Sequence, residues 1–86
     1  MKSQKQLPLL SKQAHKFIDK LDGKTQRLLQ KAIDKIPKGD IVPYEKNKDY
    51  FRLRKGKYRI LWRWVSDEQI IVAAIDSRGQ IYKRGV

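Results

Sequence analysis

The chain predicts an α+β fold, with two N-terminal antiparallel helices packed on one face of a small, mostly antiparallel sheet of about four strands. Three stretches carry that expectation. Residues 14–36 hold two apolar stripes at helical spacing with a short polar link between them. Residues 50–63, Tyr-Phe-Arg-Leu-Arg-Lys-Gly-Lys-Tyr-Arg-Ile-Leu-Trp-Arg, alternate apolar and cationic side chains on both sides of one glycine, the pattern of two half-buried strands. Residues 70–75 form a continuous apolar run of strand length, as expected where both faces are partly covered. Eighty-six residues suggest one domain spanning 1–86.

Each element has its own cause. Residues 6–10 are apolar enough for a short strand, and Pro8, which cannot donate to a ladder, assigns it to a sheet edge. Ser11 is a good N-cap. Behind it Ala14, Phe17, Ile18 and Leu21 share one helix face, while Lys12, Lys16 and Lys20 line another. Gly23 is expected to close this helix and Thr25 to cap the next, whose stripe is Leu28, Leu29, Ala32, Ile33 and Ile36, stopped by Pro37. Residues 38–49, with Gly39, Pro43 and mixed charge, read as a loop that Ile41 and Val42 tack to the core. Turns follow at residues 66–69 and 76–79, and residues 81–84 finish the chain.

The hairpin at 50–63 is the organising element. With Lys55 and Gly56 as the central turn residues, Arg54 faces Lys57, Leu53 faces Tyr58, Arg52 faces Arg59 and Phe51 faces Ile60. One face then carries Arg52, Arg54, Lys57, Arg59 and Arg63, and the other Phe51, Leu53, Tyr58, Ile60, Trp62 and Trp64. Opposed like charges destabilise a strand pair, so two such pairs ask for an anion. A solvated basic face screened by salt is the plainer reading. A three-residue loop over 55–57 would instead pair Arg54 with Tyr58 and disperse the cluster.

Composition narrows the partners. Twenty-one Lys and Arg against nine Asp and Glu give a net charge of +12, which points first to nucleic acid and second to an acidic protein or membrane surface. Eleven lysines and one arginine precede residue 51, whereas six arginines and three lysines follow. Lysine suits an exposed helix face and arginine offers a rigid fork for phosphate, so the first half reads as scaffold and the second as site. The absence of cysteine excludes disulfides and thiolate metal sites and suits a cytoplasmic setting. His15, the one histidine, lies within a helical pattern and makes no metal site by itself. No apolar run reaches the roughly 20 residues of a membrane span.

Arginines at strand spacing fit a phosphodiester backbone, and Arg78 with Tyr82 extends the reading from binding to chemistry. RNA cleavage needs neither metal nor water when the ribose 2′-OH is held in line with the adjacent phosphorus, its proton is accepted, the equatorial charge is stabilised and the leaving 5′-oxygen is protonated. Arginine stabilises charge and stays protonated, which leaves Tyr82, Lys57, Lys55 and Lys83 as candidates for proton transfer.

The run from Tyr50 to Trp62, followed by Ile-Asp-Ser-Arg-Gly-Gln-Ile-Tyr-Lys-Arg at residues 75–84, resembles the signature of the RelE/ParE toxin superfamily, and specifically its RelE-type messenger-RNA interferases. The two helices fit as well. The resemblance implies the toxin of a type II toxin–antitoxin module, a metal-independent and cofactor-free endoribonuclease that cuts messenger RNA in the ribosomal A site, with the ribosome, mRNA and a cognate antitoxin as partners. It assigns Arg59 and Arg78 to the phosphate or transition state and Tyr82 to orienting or stacking on the nucleotide, with Arg52 and Arg54 in the basic set. Arg52 joins the expected catalytic group, and Arg54, Lys55, Lys57, Arg63, Lys83 and Arg84 the RNA-binding one. The best-studied pattern has lysines two apart on the first hairpin strand; here those places hold Tyr50 and Arg52. Two other readings compete: a ParE-type poison of DNA gyrase sharing the fold, and a nucleic-acid-binding module without catalysis.

Overall fold

The computed structural model describes residues 7–77. Its elements in chain order are β1 (Leu9–Leu10), α1 (Lys12–Asp19), α2 (Gly23–Asp34), β2 (Ile41–Pro43), β3 (Phe51–Lys55), β4 (Tyr58–Trp64) and β5 (Ile70–Ser77). The strands form one sheet in the order β1-β5-β4-β3-β2, antiparallel except for the β1–β5 pair. The α+β architecture, with two helices on one sheet face, is the one the periodicities predict. β1, shorter than the expected 6–10 and starting only after Pro8, lies at an edge of the sheet among the described strands.

Ser11 fixes both the start of α1 and its place on the sheet. Its Oγ accepts from Ala14 N–H at 3.1 Å and donates to the Ala73 carbonyl at 2.6 Å, and its own N–H donates to the Val72 carbonyl at 2.9 Å. Two residues on, Gln13 mimics a strand neighbour: Oε1 accepts from Ile75 N–H and Nε2 donates to the Ile75 carbonyl, both at 2.9 Å. The β1–β5 ladder pairs only Ile71 and Val72, so these side chains satisfy the β5 backbone where that ladder stops.

Five local expectations are corrected. Asp22, not Thr25, occupies the N-cap of α2 in extended conformation (φ −66°, ψ 161°), and Gly23 begins that helix instead of ending α1. The reason is chemical: a carboxylate suits a helix N-terminus, and α1 ends on Lys20 in ordinary right-handed geometry, with no positive-φ glycine needed. Residues 41–43 are a fifth strand, because Ile41 pairs with Leu53 and points at the core. Asp76 belongs to β5 and not to a turn. Leu28 is exposed, leaving Leu29, Ile33 and Ile36 as the buried residues of the second stripe.

The core lies between the helices and one face of the sheet. Ala14, Ile18, Leu29, Ile33 and Ile36 meet Leu53, Ile60, Trp62, Ile70, Val72 and Ile75 there. Phe51 stacks on Trp62 (4.8 Å between centroids), Trp64 meets Trp62 edge-on, and Phe17 of α1 meets Tyr58 edge-on. Leu61 pairs with Ala74 but Trp62 with Val72, so Ala73 is an extra residue on β5. That bulge lets Val72 and Ile75, an odd number of residues apart, both face the helices.

Candidate functional site

The hairpin closes one step later than Lys55-Gly56. Its central turn residues are Gly56 and Lys57, with Lys55 opposite Tyr58, Arg54 opposite Arg59, Leu53 opposite Ile60, Arg52 opposite Leu61 and Phe51 opposite Trp62. The expected Arg52–Arg59 and Arg54–Lys57 pairs are therefore replaced by a single like-charge pair, Arg54–Arg59. Gly56 (φ +59°) supplies the left-handed conformation at the first central position, and Lys57 has no positive φ to adopt. The correction amounts to two residues of register, so side-chain parity is preserved. Arg52, Arg54, Arg59 and Arg63 all belong to the sheet face turned away from the helices.

Neutralising groups flank the arginine pair. Arg54 Nε lies 3.6 Å from Asp40 Oδ2, with both side chains more than half exposed, and Arg54 N–H donates to the Asp40 carbonyl at 3.0 Å. Asp76 of β5 is the cross-strand neighbour of Arg59 on its other side. The sheet thus presents Arg59 between a cation and an anion.

Arg52 and Arg59, though not paired, share the wall of a hollow of about 520 Å³ on this face. Leu61 and Val42 contribute apolar surface, Asp76 reaches it from β5, and Tyr44, Glu45 and Lys46 approach from the loop after β2. Arg52 is half-buried, and its Nε is fully buried without a hydrogen-bond partner among the described residues. A buried guanidinium donor left unmatched costs free energy. Tyr44, Glu45 and Asp76 were not expected at the site. Glu45 and Tyr44 arrive because β2 pairs with β3 and brings its following loop over the sheet, and an apolar run without alternation gave no sign that β5 continues to Asp76.

The remaining expected residues divide by place. Arg63 lies farther along β4, its Nη1 donating to the Trp64 carbonyl at 3.4 Å and its guanidinium carbon 5.9 Å from the Tyr50 ring centroid. Lys57 leans to the other side of the sheet, with Nζ 5.5 Å from the centroid of Tyr58, whose ring packs on Phe17. Lys55 has the parity of Leu53 and Phe51 and sits exposed at the hairpin end. Neither lysine lines the hollow that holds Arg52 and Arg59. Arg78, Tyr82, Lys83, Arg84 and the final segment at 81–84 lie outside the described residues.

With this geometry in view, comparison with known proteins identifies the class. The family model for the ParE toxin of type II toxin–antitoxin systems, parDE, matches residues 3–82. The chain belongs to this toxin family, within the RelE/ParE superfamily. Among solved structures it resembles a chain of the RelB–RelE antitoxin–toxin complex from Methanococcus jannaschii, with a TM-score of 0.71 and 24% identity over 88% of this chain and 96% of that one, a likeness of fold. No curated protein matches.

Proposed function

We propose that this toxin is a cytoplasmic, ribosome-dependent endoribonuclease that cuts messenger RNA in the A site and is held inactive by a cognate antitoxin. The observation that carries the reading is the hollow shared by Arg52 and Arg59 on the sheet face turned away from the two helices. Two guanidinium forks there suit a phosphodiester, and Arg78 and Tyr82 complete the set that the RelE resemblance implies. In the reaction the 2′-oxygen bonds to phosphorus, the bond to the 5′-oxygen breaks as that oxygen takes up a proton, for which Tyr82 and Lys83 are the sequence candidates, and the products are a 2′,3′-cyclic phosphate and a 5′-hydroxyl. The proton leaving the 2′-OH needs an acceptor that arginine cannot be; the carboxylates of Glu45 and Asp76 at the same hollow are of the required type. The solved RelB–RelE complex, a toxin with its antitoxin, supports the antitoxin as partner.

A second reading, poisoning of DNA gyrase, is favoured by the match to the ParE toxin family of parDE systems. A translation extract separates the two. We expect cleavage at A-site codons with 5′-hydroxyl ends, reduced by Arg59→Ala by a factor of about 10² to 10³, the usual loss when one charge-stabilising donor is removed. Intact message together with trapped gyrase–DNA complexes would establish the second reading instead.

A further inference from the structure

The cationic face continues beyond the hollow at Arg52 and Arg59. Arg63 lies four residues along β4 from Arg59, roughly 13 Å at the rise of a strand. There a second hollow, of about 460 Å³, opens at the end of the sheet, where Tyr50 and Arg63 of the cationic face meet Phe51 and Trp64 of the opposite face beside Lys48 and Asp49. The loop leading into it is fixed by its own hydrogen bonds. Tyr44 N–H donates to the Tyr50 carbonyl at 3.0 Å, Tyr50 N–H to the Asn47 carbonyl at 3.1 Å, and Asp49 N–H to Asn47 Oδ1 at 3.0 Å. Tyr50, at the mouth of β3, is thereby held beside Arg63, whose guanidinium carbon is 5.9 Å from its ring centroid. Trp64 is set by its edge contact with Trp62.

Half-buried aromatic rings next to a guanidinium and an ammonium group have a particular chemistry. A nucleobase offers a π-face to the rings while its phosphate meets the cations. Asp49 on the same wall is an acceptor, which disfavours a phosphate deep in this hollow and suits the amino edge of a base. A base in a duplex hides its faces, so the occupant is unpaired. We propose that Tyr50, Arg63 and Trp64 form a nucleobase subsite for a nucleotide a few positions along the strand from the one held at Arg52 and Arg59, the ligand being single-stranded RNA laid along β4. The identity of the polymer rests on the nuclease reading. At about 3.4 Å per nucleotide of stacked strand, the distance between the two hollows takes up to about four nucleotides, and fewer when the strand is extended.

The test uses a 2′-O-methylated oligoribonucleotide of about six nucleotides, which cannot be cut, and an abasic oligomer with the same number of phosphates. Binding is read by fluorescence anisotropy at low salt. Tyr50→Ala should weaken the base-bearing oligomer about tenfold, the value of one base–aromatic stack, and leave the abasic one unchanged. Tyr50→Phe, which keeps the ring and the fold, should bind both like the unaltered protein. Equal losses on both oligomers, no loss on either, or no binding by the unaltered protein would overturn the subsite. If Tyr50→Ala binds RNA normally while the unaltered protein still cuts message in extract, the subsite falls and the nuclease stands. Trapped gyrase with intact message removes the nuclease itself.

Discussion

Arg59 stands between two neighbours of opposite sign, Arg54 on β3 and Asp76 on β5, and that position explains how so basic a hairpin folds by itself. The Arg54–Arg59 pair costs on the order of 0.2 to 1 kcal/mol, and nearby Asp40 and Asp76 offset part of it. What holds the face in place is behind it. Trp62 is 2% exposed and lies between Phe51 and Trp64, so removing its ring takes away the surface on which the hairpin rests. Trp62→Ala should cost about 3 to 5 kcal/mol, read as a lower urea midpoint, out of a total of roughly 4 to 13 kcal/mol for a domain of this size. The cationic strand residues were legible in the sequence because strict alternation assigns the same faces for either two-residue turn. The pairing was less so: choosing Gly56-Lys57 over Lys55-Gly56 moves the register by two residues, which parity cannot detect, and it spares Lys55 the positive φ that a type I′ turn would demand of it.

Among the elements, the two helices show what capping chemistry decides. Asp22 at the start of α2 has its carboxyl held below the ordinary value of 3.8, chiefly by the Thr25 hydroxyl and also by nearby backbone N–H groups. A carboxyl whose folded value is depressed contributes stability that is present above 3.8 and is lost as pH falls through the lower folded value. Asp22→Asn should therefore be less stable than the parent at neutral pH, with the difference closing as urea titrations are carried below pH 3.8; a gap that persists in strong acid would mean the charge is not its source. Ser11 was readable as a cap from its place before the apolar stripe. Its bond to Ala73, and the grip of Gln13 on Ile75, were not, since both depend on a bulge 62 residues away in sequence. The strand at residues 41–43 was hidden for a similar reason: three residues carry no periodicity, and pairing with β3 is what orders them.

At the scale of the molecule, the cations behind the net charge of +12 are not of one kind throughout, lysine dominating the first half of the chain and arginine the second. Lysines such as Lys16 and Lys31 stand exposed on the helices, while the sheet face turned away from α1 and α2 carries Arg52, Arg54, Arg59 and Arg63. RNA affinity should accordingly fall with salt at a log–log slope of about −0.7 for each phosphate engaged, and removing Arg52 or Arg59 should flatten it by about that amount. An unchanged slope in either variant would take the phosphate away from that hollow. The split between lysine and arginine was already visible along the sequence, whereas the carboxylates beside the arginines required the fold.

Removing equal charge from the two regions tests the assignment of the site most directly. Message cleavage in a translating extract should be compared for Arg52→Ala with Arg59→Ala in one chain and Lys16→Ala with Lys31→Ala in another. The arginine variant should lose at least about 10²-fold in cleavage, and the lysine variant should stay within a few-fold of the parent. Equal losses in both would make the activity a matter of total charge and contradict the placement of the site on the sheet.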